Sequence, residues 1–444
     1  MKKFKKSMIS DFRLGIILTL GALFIFFFFG GHLERLEYGL YDISARLRVK
    51  PFVAPVSVIA IDEQSIANFG RWPWPRAYIA FMIDLLESYK AKVIGLDIVY
   101  SEKDLNHGLM EVLNIISTIE NNPQYSKKNI STIVLLAALK DAEKRLDNDS
   151  ILSNSIAMSK KVILPLLFNL GNPIDKSSTS LPDYIENNSL PPGFFASGSI
   201  TSPEMVTPIN VFAKDALGLG HINIIADRDG IVRSEPLFIN FKDRLFPSFA
   251  LQLTLKYLDL DLKDLQLSNQ LKFNSKTIPI YGNNKMLIDF KSGIPYYSFF
   301  DVINNKIPPE AFKDKIVIIA PSAAGIGVMQ ITPTAFNVPP VKIVADVIDN
   351  IISNDHILRP NWALILELLM ISFFGLYIAL IIPQLKASIG AIISSVLLIF
   401  WLITGVYLFI VYGYWIKPIY PALLLIVGYI AIILKRYLLT ERTQ

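Results

Sequence analysis

Two aspartates stand at the ends of apolar runs, where α/β proteins often place ligand-binding groups. Asp62 follows residues 56–61 and Asp97 follows residues 93–96. Both runs have the length and composition of strands buried on both faces of a parallel sheet. Ligands of open α/β sheets bind beyond the carboxyl ends of the strands, so neighbouring strands would direct both carboxylates toward one crevice. The commoner role for such a residue is structural, as a cap on the following segment or a partner for a nearby arginine.

The loop between these runs, Gly-Arg-Trp-Pro-Trp-Pro-Arg at residues 70–76, carries cationic and aromatic side chains. Its two arginines could each present a planar guanidinium to the carboxylate or phosphate of a ligand. Its two tryptophans could form the walls of that pocket. The commoner role is again structural: two prolines stiffen the loop, which seats both tryptophans in the core. The candidate ligand-binding residues are Asp62, Arg71, Trp72, Trp74, Arg76 and Asp97.

The sequence predicts no catalytic site, no metal site and no cofactor. Cysteine is absent, and no two of the four histidines have the spacing of metal ligands. Asp227 and Asp229 precede Gly230 as at the start of a calcium loop, but Phe238 stands where the bidentate acid is needed, so we expect a plain turn. The basic residues form no patch interleaved with aromatics, which argues against nucleic acid as a partner.

Helices must connect the strands that carry the candidate residues. Ile79, Met82, Ile83 and Leu86 have the spacing of a helix with one buried face, and Pro75 precedes them where its missing N–H costs nothing. Strand, helix and strand form a βαβ unit with a right-handed crossover. The predicted fold class is therefore α/β, with a mostly parallel buried sheet.

Composition and spacing also predict the remaining strands and helices between the first and the last apolar runs of the chain. Further strands are expected at 162–168 and 315–322, around a turn at 226–230, and in a strand-rich segment at 271–290. Helices are expected at 133–146, 150–159, 246–257 and 341–353. Residues 101–130 are predicted to be an insertion with one short helix, and residues 171–208 a long surface loop.

Four long apolar runs predict transmembrane helices, one near the start of the chain and three near its end. Each approaches the roughly 20 residues that cross a bilayer. Basic residues place both ends in the cytoplasm and the domain between the spans outside it. A cleaved signal peptide is the less favoured alternative for the first run, which ends in no small-x-small site. The predicted segments are a cytoplasmic start 1–13, spans 14–33, 361–383, 387–411 and 417–434, an extracytoplasmic domain 34–360, and a cytoplasmic tail 435–444.

Several motifs resemble the CHASE domain of the second type, an extracytoplasmic sensory module found in front of bacterial cyclases and kinases. They are I-D-x-x-S-x-x-x-x-G-R-W-P-W-P-R from Ile61, A-x-V-I-G-x-D-I from Ala91 and G-x-x-N-x-x-x-D-x-D-G-x-x-R from Gly220. The pattern Y-D-x-x-x-R-L-R from Tyr41 is similar to the family's segment between anchor and sensor. We interpret that segment as a connecting helix with a solvated charged face. Thr332, Pro333 and Ala345 keep the family's later pattern. The positions that depart from it are Ala320, Pro321, Val328, Pro340, Lys342 and Val344.

The resemblance implies a membrane-bound sensor that detects an unknown small molecule or environmental signal. Family members usually continue into a cyclase or kinase, whereas this chain stops ten residues after residue 434. We therefore expect no enzymatic activity, and a separate cyclase or kinase as the signalling partner of the spans in the lipid bilayer. An extracytoplasmic hydrolase and a structural subunit of a membrane complex are the alternatives. Localisation in a bacterial inner membrane is expected, and homo-oligomerisation stays open.

Small residues on the third span form two rows, one of Ala387, Ala391 and Ser395 and one of Gly390 and Ser394. Small residues allow helices to approach closely in lipid. The rows could therefore contact a partner protein, or they could pack only against the second and fourth spans of the same chain.

Overall fold

The computed structural model describes residues 2–28, 30–122, 130–170, 181–193, 199–268 and 270–441. The long loop predicted at 171–208 lies partly outside these ranges, and its described parts contain one short helix and two short strands. The tail predicted at 435–444 is described only as far as residue 441, where it continues the last helix.

Aliphatic and β-branched runs form the strands. All six residues of the run 56–61 are buried, because a parallel strand between two helical layers exposes neither face. The strands are β1 Lys50–Pro51, β2 Val56–Ile61, β3 Val93–Leu96, β4 Val162–Asn169, β5 Ile200–Thr201, β6 Glu204–Val206, β7 Gly218–His221, β8 Ser234–Pro236, β9 Phe238–Phe241, β10 Arg244–Pro247, β11 Gln266–Leu267, β12 Gln270–Phe273, β13 Lys276–Pro279, β14 Lys285–Leu287, β15 Lys291–Ser292, β16 Tyr296–Ser298 and β17 Ile316–Pro321.

Runs with helical spacing of apolar residues form the helices, and the helix expected after Pro75 starts at Arg76. The insertion holds a helix of 15 residues, longer than the short one predicted. The helices are α1 Lys2–Phe28, α2 Gly30–Arg48, α3 Glu63–Phe69, α4 Arg76–Ser88, α5 His107–Asn121, α6 Ile130–Leu146, α7 Asn148–Ser159, α8 Asp183–Glu186, α9 Asn210–Ala213, α10 Phe249–Tyr257, α11 Phe299–Ile303, α12 Pro340–Ser353, α13 Ala363–Leu376, α14 Ala387–Tyr412 and α15 Ile419–Glu441.

The central sheet has the strand order β16, β2, β17, β3, β4, and both β7 and β6 pair with β4. Every one of these pairs is parallel except that of β6 with β4. The predicted α/β class with a mostly parallel sheet is therefore confirmed.

Strand β17 separates the two strands whose aspartates were expected to be neighbours. Ile318 in β17 lies opposite both Val58 in β2 and Gly95 in β3. The expectation that Asp62 and Asp97 end neighbouring strands is therefore wrong. Apolar runs specify that a strand is buried but not its place in the sheet, so a strand from the far end of the domain can insert between two that are consecutive in the sequence.

Helices cover both faces of the central sheet. Helices α4 and α7 lie over one face, where their apolar side chains pack with Ile94. Helices α10 and α12 cover the other face, where Val93 points. Helix α10 starts so close to β7 that a β-carbon at Gly220 would lie 2.7 Å from the Cα of Phe249. Glycine at position 220 thus permits the close approach of helix and strand.

Among the described residues, four helices are long and apolar enough to cross a membrane, as predicted. Their inward side chains pack around Phe374, Trp401 and Leu425. Helix α2 starts at Gly30, so the last residues assigned to the first span from the sequence belong instead to the helix that leads into the α/β domain. The candidate spans are Ser10–Phe28, Ala363–Gln384, Ala387–Tyr412 and Ile419–Leu438.

Candidate functional site

Asp62 caps helix α3. Its Oδ1 accepts hydrogen bonds from the backbone N–H of Ser65 at 2.9 Å and from the hydroxyl of Ser298, at the end of β16, at 3.0 Å. A side-chain cap of this kind satisfies a backbone donor that the first turn of the helix leaves free. Asp62 therefore has the structural role of a helix cap, and its Oδ2 makes no hydrogen bond with the residues that the structure describes.

The loop of residues 70–76 forms an aromatic cluster against the domain. Trp74 is buried, and its indole N–H donates to the carbonyl of Gly70 at 2.8 Å. The rings of Trp72 and Phe299 lie 5.3 and 5.2 Å from the Trp74 ring, centroid to centroid. The tryptophans thus pack in the core and at its edge. Arg71 is exposed, and it forms neither a hydrogen bond nor an ion pair in the part of the chain that the structure describes.

Arg76 fastens the start of α4 to the segments beside it. Its guanidinium pairs with the carboxylate of Asp149 near the start of α7 and donates to the carbonyl of Glu102. It also lies over the ring of Tyr100, 4.6 Å from the centroid. Arg76 is 7% exposed, so this guanidinium stabilises the framework and is not free to bind an anion.

A cleft of about 510 Å³ lies beside the Arg76–Asp149 pair, between α5, α7 and the chain that leaves β3. Leucines from α5 and α6 form much of its apolar wall. Its polar rim is dominated by carboxylates: Asp104, Asp147 and Asp149 line it together with Lys103. Asp104 accepts from the Asn148 amide at 2.7 Å, which fixes the rim. Because α7 connects parallel strands, its start lies at the carboxyl edge of the sheet.

Asp97 and Glu235 form a second group of polar side chains at this edge. Burial raises the pKa of Asp97 to about 6. Burial also raises the pKa of Glu235 to about 8; a hydrogen bond from Ser248 opposes this rise and the nearby Asp97 charge adds to it. Asp97 makes no side-chain hydrogen bond to any residue that the structure describes. Buried and half-buried carboxyl groups with shifted pKa values and few partners are typical of functional sites.

His221 ends β7 next to Ser248, with which it forms a parallel bridge. Its ring is fully buried, and neither ring nitrogen makes a hydrogen bond of normal geometry. Burial lowers its pKa to about 3, against the opposing effect of the Pro236 carbonyl. The imidazole is therefore neutral, and its two nitrogens add to the unused polar capacity at this edge of the sheet.

A membrane-proximal junction, formed by α2 and the residues that bind it, joins the α/β domain to the membrane helices. Its first part centres on Arg233, whose side chain is 2% exposed. The guanidinium binds both carboxylate oxygens of Asp42 in α2, each at 2.8 Å. It also binds Asp227 at 3.0 Å and Asp229 at 2.7 Å, so the predicted turn at residues 226–230 serves as a clamp on this arginine.

The second part of the junction centres on Arg48, the last residue of α2. Its guanidinium binds Asp289 of the α/β domain at 3.1 Å and Asp355 at 2.9 Å. It also donates to the carbonyls of Phe409 and Ile410 in α14, at 3.1 and 2.6 Å. One side chain thus bonds the α/β domain and a membrane helix at the same time.

Helix α2 is a connecting helix, but the expectation that its charged face is solvated is wrong. Tyr41, Asp42 and Arg48 are 2%, 8% and 4% exposed. Asp42 and Arg48 bind partners far away in the chain, and the helix spacing alone does not reveal such partners. The charged residues Asp42, Arg46 and Arg48 were the available signal, since charges spaced along an apolar helix face require partners when that face is covered.

A third set of contacts lies where the chain enters the bilayer. Glu367, inside the second span, is fully buried and accepts two hydrogen bonds from the Arg359 guanidinium, at 2.9 and 2.8 Å. It also accepts from the backbone N–H of Lys417 at 2.7 Å. Glu37 of α2 accepts from the backbone N–H of Ile419, where the fourth span begins. Helix α2 is therefore fixed to the membrane helices along its length.

The comparisons with known proteins agree with the architecture. The family model of the CHASE2 domain matches residues 18–380, which includes the second part of the first candidate span and most of the second span. The chain belongs to the CHASE2 domain family. The comparisons with curated proteins and with solved structures give no match.

CHASE2 domains are sensory rather than catalytic domains. In this CHASE2 protein, four helices suited to a bilayer accompany the sensor domain, which makes it a membrane protein. The described residues contain no group of three His, Cys, Asp or Glu side chains placed to hold a metal ion. The features available for sensing are therefore the strand-end edge, the cleft beside it and the membrane-proximal junction.

Proposed function

We propose that the protein is a sensor of a bacterial inner membrane. Its α/β domain lies outside the cytoplasm, detects a small molecule or environmental signal, and passes it through the membrane helices to a separate cyclase or kinase. The membrane-proximal junction carries this proposal. A displacement of the loop around Asp227 reaches α2 through Arg233 and Asp42, and reaches α14 through Arg48.

The signal enters at the carboxyl edge of the sheet. The cleft of about 510 Å³ has the size of a small-molecule site, and its position beyond the strand ends is the usual one in open α/β sheets. Its carboxylates, together with the half-buried Asp97 and the buried Glu235 nearby, favour an uncharged polar or cationic ligand. Arg71 and Arg76 suggested an anionic ligand, but Arg76 already has Asp149 as its partner.

Coupling between the domain and the membrane helices can be tested with one reporter and two matched substitutions. The chain contains no cysteine, so an environment-sensitive fluorophore on Ser395→Cys reports only on α14. Ligands are first identified by the rise in melting temperature of the full chain. We expect such a ligand to change the emission of the fluorophore. Asp42→Asn should keep ligand binding and reduce that change, because it weakens the link from Arg233 to α2.

Asp229→Asn is the matched control, since it removes one carboxylate from the same arginine without touching α2. Its emission response should stay close to that of the parent chain. An equal loss in both variants, or a response that survives in both, would contradict transmission through α2.

The orientation has a separate test in intact cells. Cysteine at the exposed Lys214 should react with an impermeant maleimide applied from outside, and cysteine at Ser7 should not. Lysed cells provide the control, in which both positions should react. Labelling of Ser7→Cys in intact cells would reverse the proposed orientation.

Of the two rows of small residues on the third span, one faces the other helices of the chain and the other faces outward. Gly390 and Ser394 are buried; the Ser394 hydroxyl lies 3.1 Å from the hydroxyl of Tyr377, so this row packs within the protein. Ala387 and Ser395 are exposed, which leaves the other row open to a partner helix. Ser395→Leu should then reduce co-purification of the signalling partner without lowering the melting temperature, whereas unchanged co-purification would remove this surface from the proposal.

A further inference from the structure

A polar cleft of about 320 Å³ opens at the base of the α/β domain, between the first turns of α2 and the loop that clamps Arg233. Arg228 reaches the helix closely there: a β-carbon at Gly31 would lie 3.2 Å from its Nη1. The cleft is separate from the strand-end edge. Its lining residues are Gly31, Glu34, Arg35, Tyr38, Arg228 and Asp229.

The cleft lies at the level of the lipid headgroups. The first candidate span ends at Phe28, and the fourth starts at Ile419. Glu34 in the cleft lies 3.8 Å from the ammonium group of Lys417, just before that fourth span. At 1.5 Å of rise per residue, positions 31–35 extend about 5–10 Å beyond Phe28. That distance corresponds to the headgroup layer, which adds roughly 5–7 Å on each side of the hydrocarbon core.

The carboxylates of the cleft already have cationic partners, whereas its arginines do not. Asp229 is bound by Arg233 at 2.7 Å, and Glu34 faces Lys417. Arg35 and Arg228 are both exposed and form no hydrogen bond or ion pair with any residue in the described ranges. Two free guanidinium groups thus share one cleft, and each can bind a phosphate through two parallel hydrogen bonds.

We propose that this cleft binds the headgroup of an anionic membrane phospholipid, with its phosphate between Arg35 and Arg228. The lipid would come from the leaflet that faces the α/β domain. Arg228 stands between Asp227 and Asp229, the two clamp residues of Arg233. A bound headgroup would therefore hold the clamp loop against the start of α2, so the lipid composition sets how firmly the domain is joined to its membrane helices.

The test measures lipid affinity of the purified full chain in neutral maltoside micelles. Dioctanoylphosphatidylglycerol and dioctanoylphosphatidylcholine are titrated separately, and the dissociation constant is taken from the rise in melting temperature. We expect the anionic lipid to bind more tightly. Replacing both arginines, Arg35→Gln with Arg228→Gln, should weaken its binding about 30-fold, and each single substitution about fivefold, since one basic residue at a membrane surface contributes about 1 kcal/mol.

Three results would overturn the proposal. The first is equal affinity for the two lipids, and the second is an unchanged dissociation constant in the double variant. The third is binding of glycerol 3-phosphate as tight as that of the lipid, which would identify a soluble phosphate compound as the ligand. Lys214→Gln is the matched control, because Lys214 is an exposed cation outside the cleft. It should leave both affinities unchanged, and no variant should alter the melting temperature measured without lipid.

Discussion

The strand-end edge and the membrane-proximal junction both bury ionisable side chains, but these side chains differ greatly in how many hydrogen-bond and ion-pair partners they have. At the junction, Arg233 has three carboxylate partners and Arg48 binds two carboxylates and two backbone carbonyls. At the strand-end edge, Asp97 has no side-chain partner among the residues described, and the two nitrogens of His221 have none of normal geometry.

This difference suggests which region is rigid and which region changes when a ligand or a proton binds. A buried ion pair with every hydrogen bond made resists change, because separating it leaves a charge in a medium that solvates it poorly. A buried carboxyl group with few partners is stabilised when a ligand supplies hydrogen bonds or when a proton neutralises its charge. This contrast supports our proposal that the strand-end edge detects the signal and the junction transmits it.

Removing the central arginine of the junction should have the largest effect. Arg233→Met leaves the carboxylates of Asp42, Asp227 and Asp229 without their shared partner, so we expect a loss of about 3–5 kcal/mol in the free energy of unfolding. The measurement is chemical denaturation of the full chain in detergent micelles. Arg228→Met, five residues earlier and exposed, is the control and should change the stability little in the absence of lipid. Similar losses of unfolding free energy in the two variants would contradict a stabilising role for the ion pairs of the junction.

The pH dependence of stability should report on the strand-end edge. The pKa of Glu235 is raised by burial from 4.5 to about 8, so folding favours its protonated form. Its stabilising contribution is complete below pH 4.5 and is lost as the pH rises toward 8. In the parent protein this loss in the free energy of unfolding is on the order of 3 kcal/mol between pH 5 and 8, and we expect Glu235→Gln to remove most of it.

Asp97→Asn should reduce the loss by less and over a lower range, because the pKa of Asp97 reaches only about 6. Melting curves of the full chain at several pH values measure both effects. Glu310→Gln, at an exposed position, serves as the control and should follow the parent curve. A parent protein equally stable at pH 5 and pH 8 would show that these carboxyl groups are not buried as described.

The two arginines of the 70–76 loop should differ in their contribution to stability, although both were candidate ligand-binding residues from the sequence. Arg76→Ala removes the partner of Asp149 and the contact with Tyr100, so we expect a loss of about 2 kcal/mol. Arg71→Ala removes an exposed side chain without a partner in the described chain and should leave the melting temperature unchanged. Equal effects would mean that Arg76 is not part of the framework.

Much of the fold could be predicted from the sequence because the signals are local. Helix α4 follows from the spacing of Ile79, Met82, Ile83 and Leu86, and the buried strands follow from apolar runs such as residues 56–61. Four candidate spans follow from length and hydropathy, which depend neither on the order of residues within a run nor on tertiary contacts. The family also follows from the sequence, since its motifs lie within short segments.

The candidate site was only partly predictable. Asp97 and the turn at residues 226–230 were identified from the sequence, but the role of that turn as a clamp on Arg233 was not. Glu235 and His221 gave no signal, because each stands alone in its segment. Their burial depends on strands that approach from other parts of the chain.

Tertiary structure alone decided the position of β17 between β2 and β3, and with it the separation of Asp62 from Asp97. It also decided that Arg48 bonds residues of α14 more than 300 positions away. A local pattern records whether a residue is buried, since burial follows from the alternation or spacing of apolar side chains. It does not record which distant group shares that burial, and the chemistry of buried charges depends on that group.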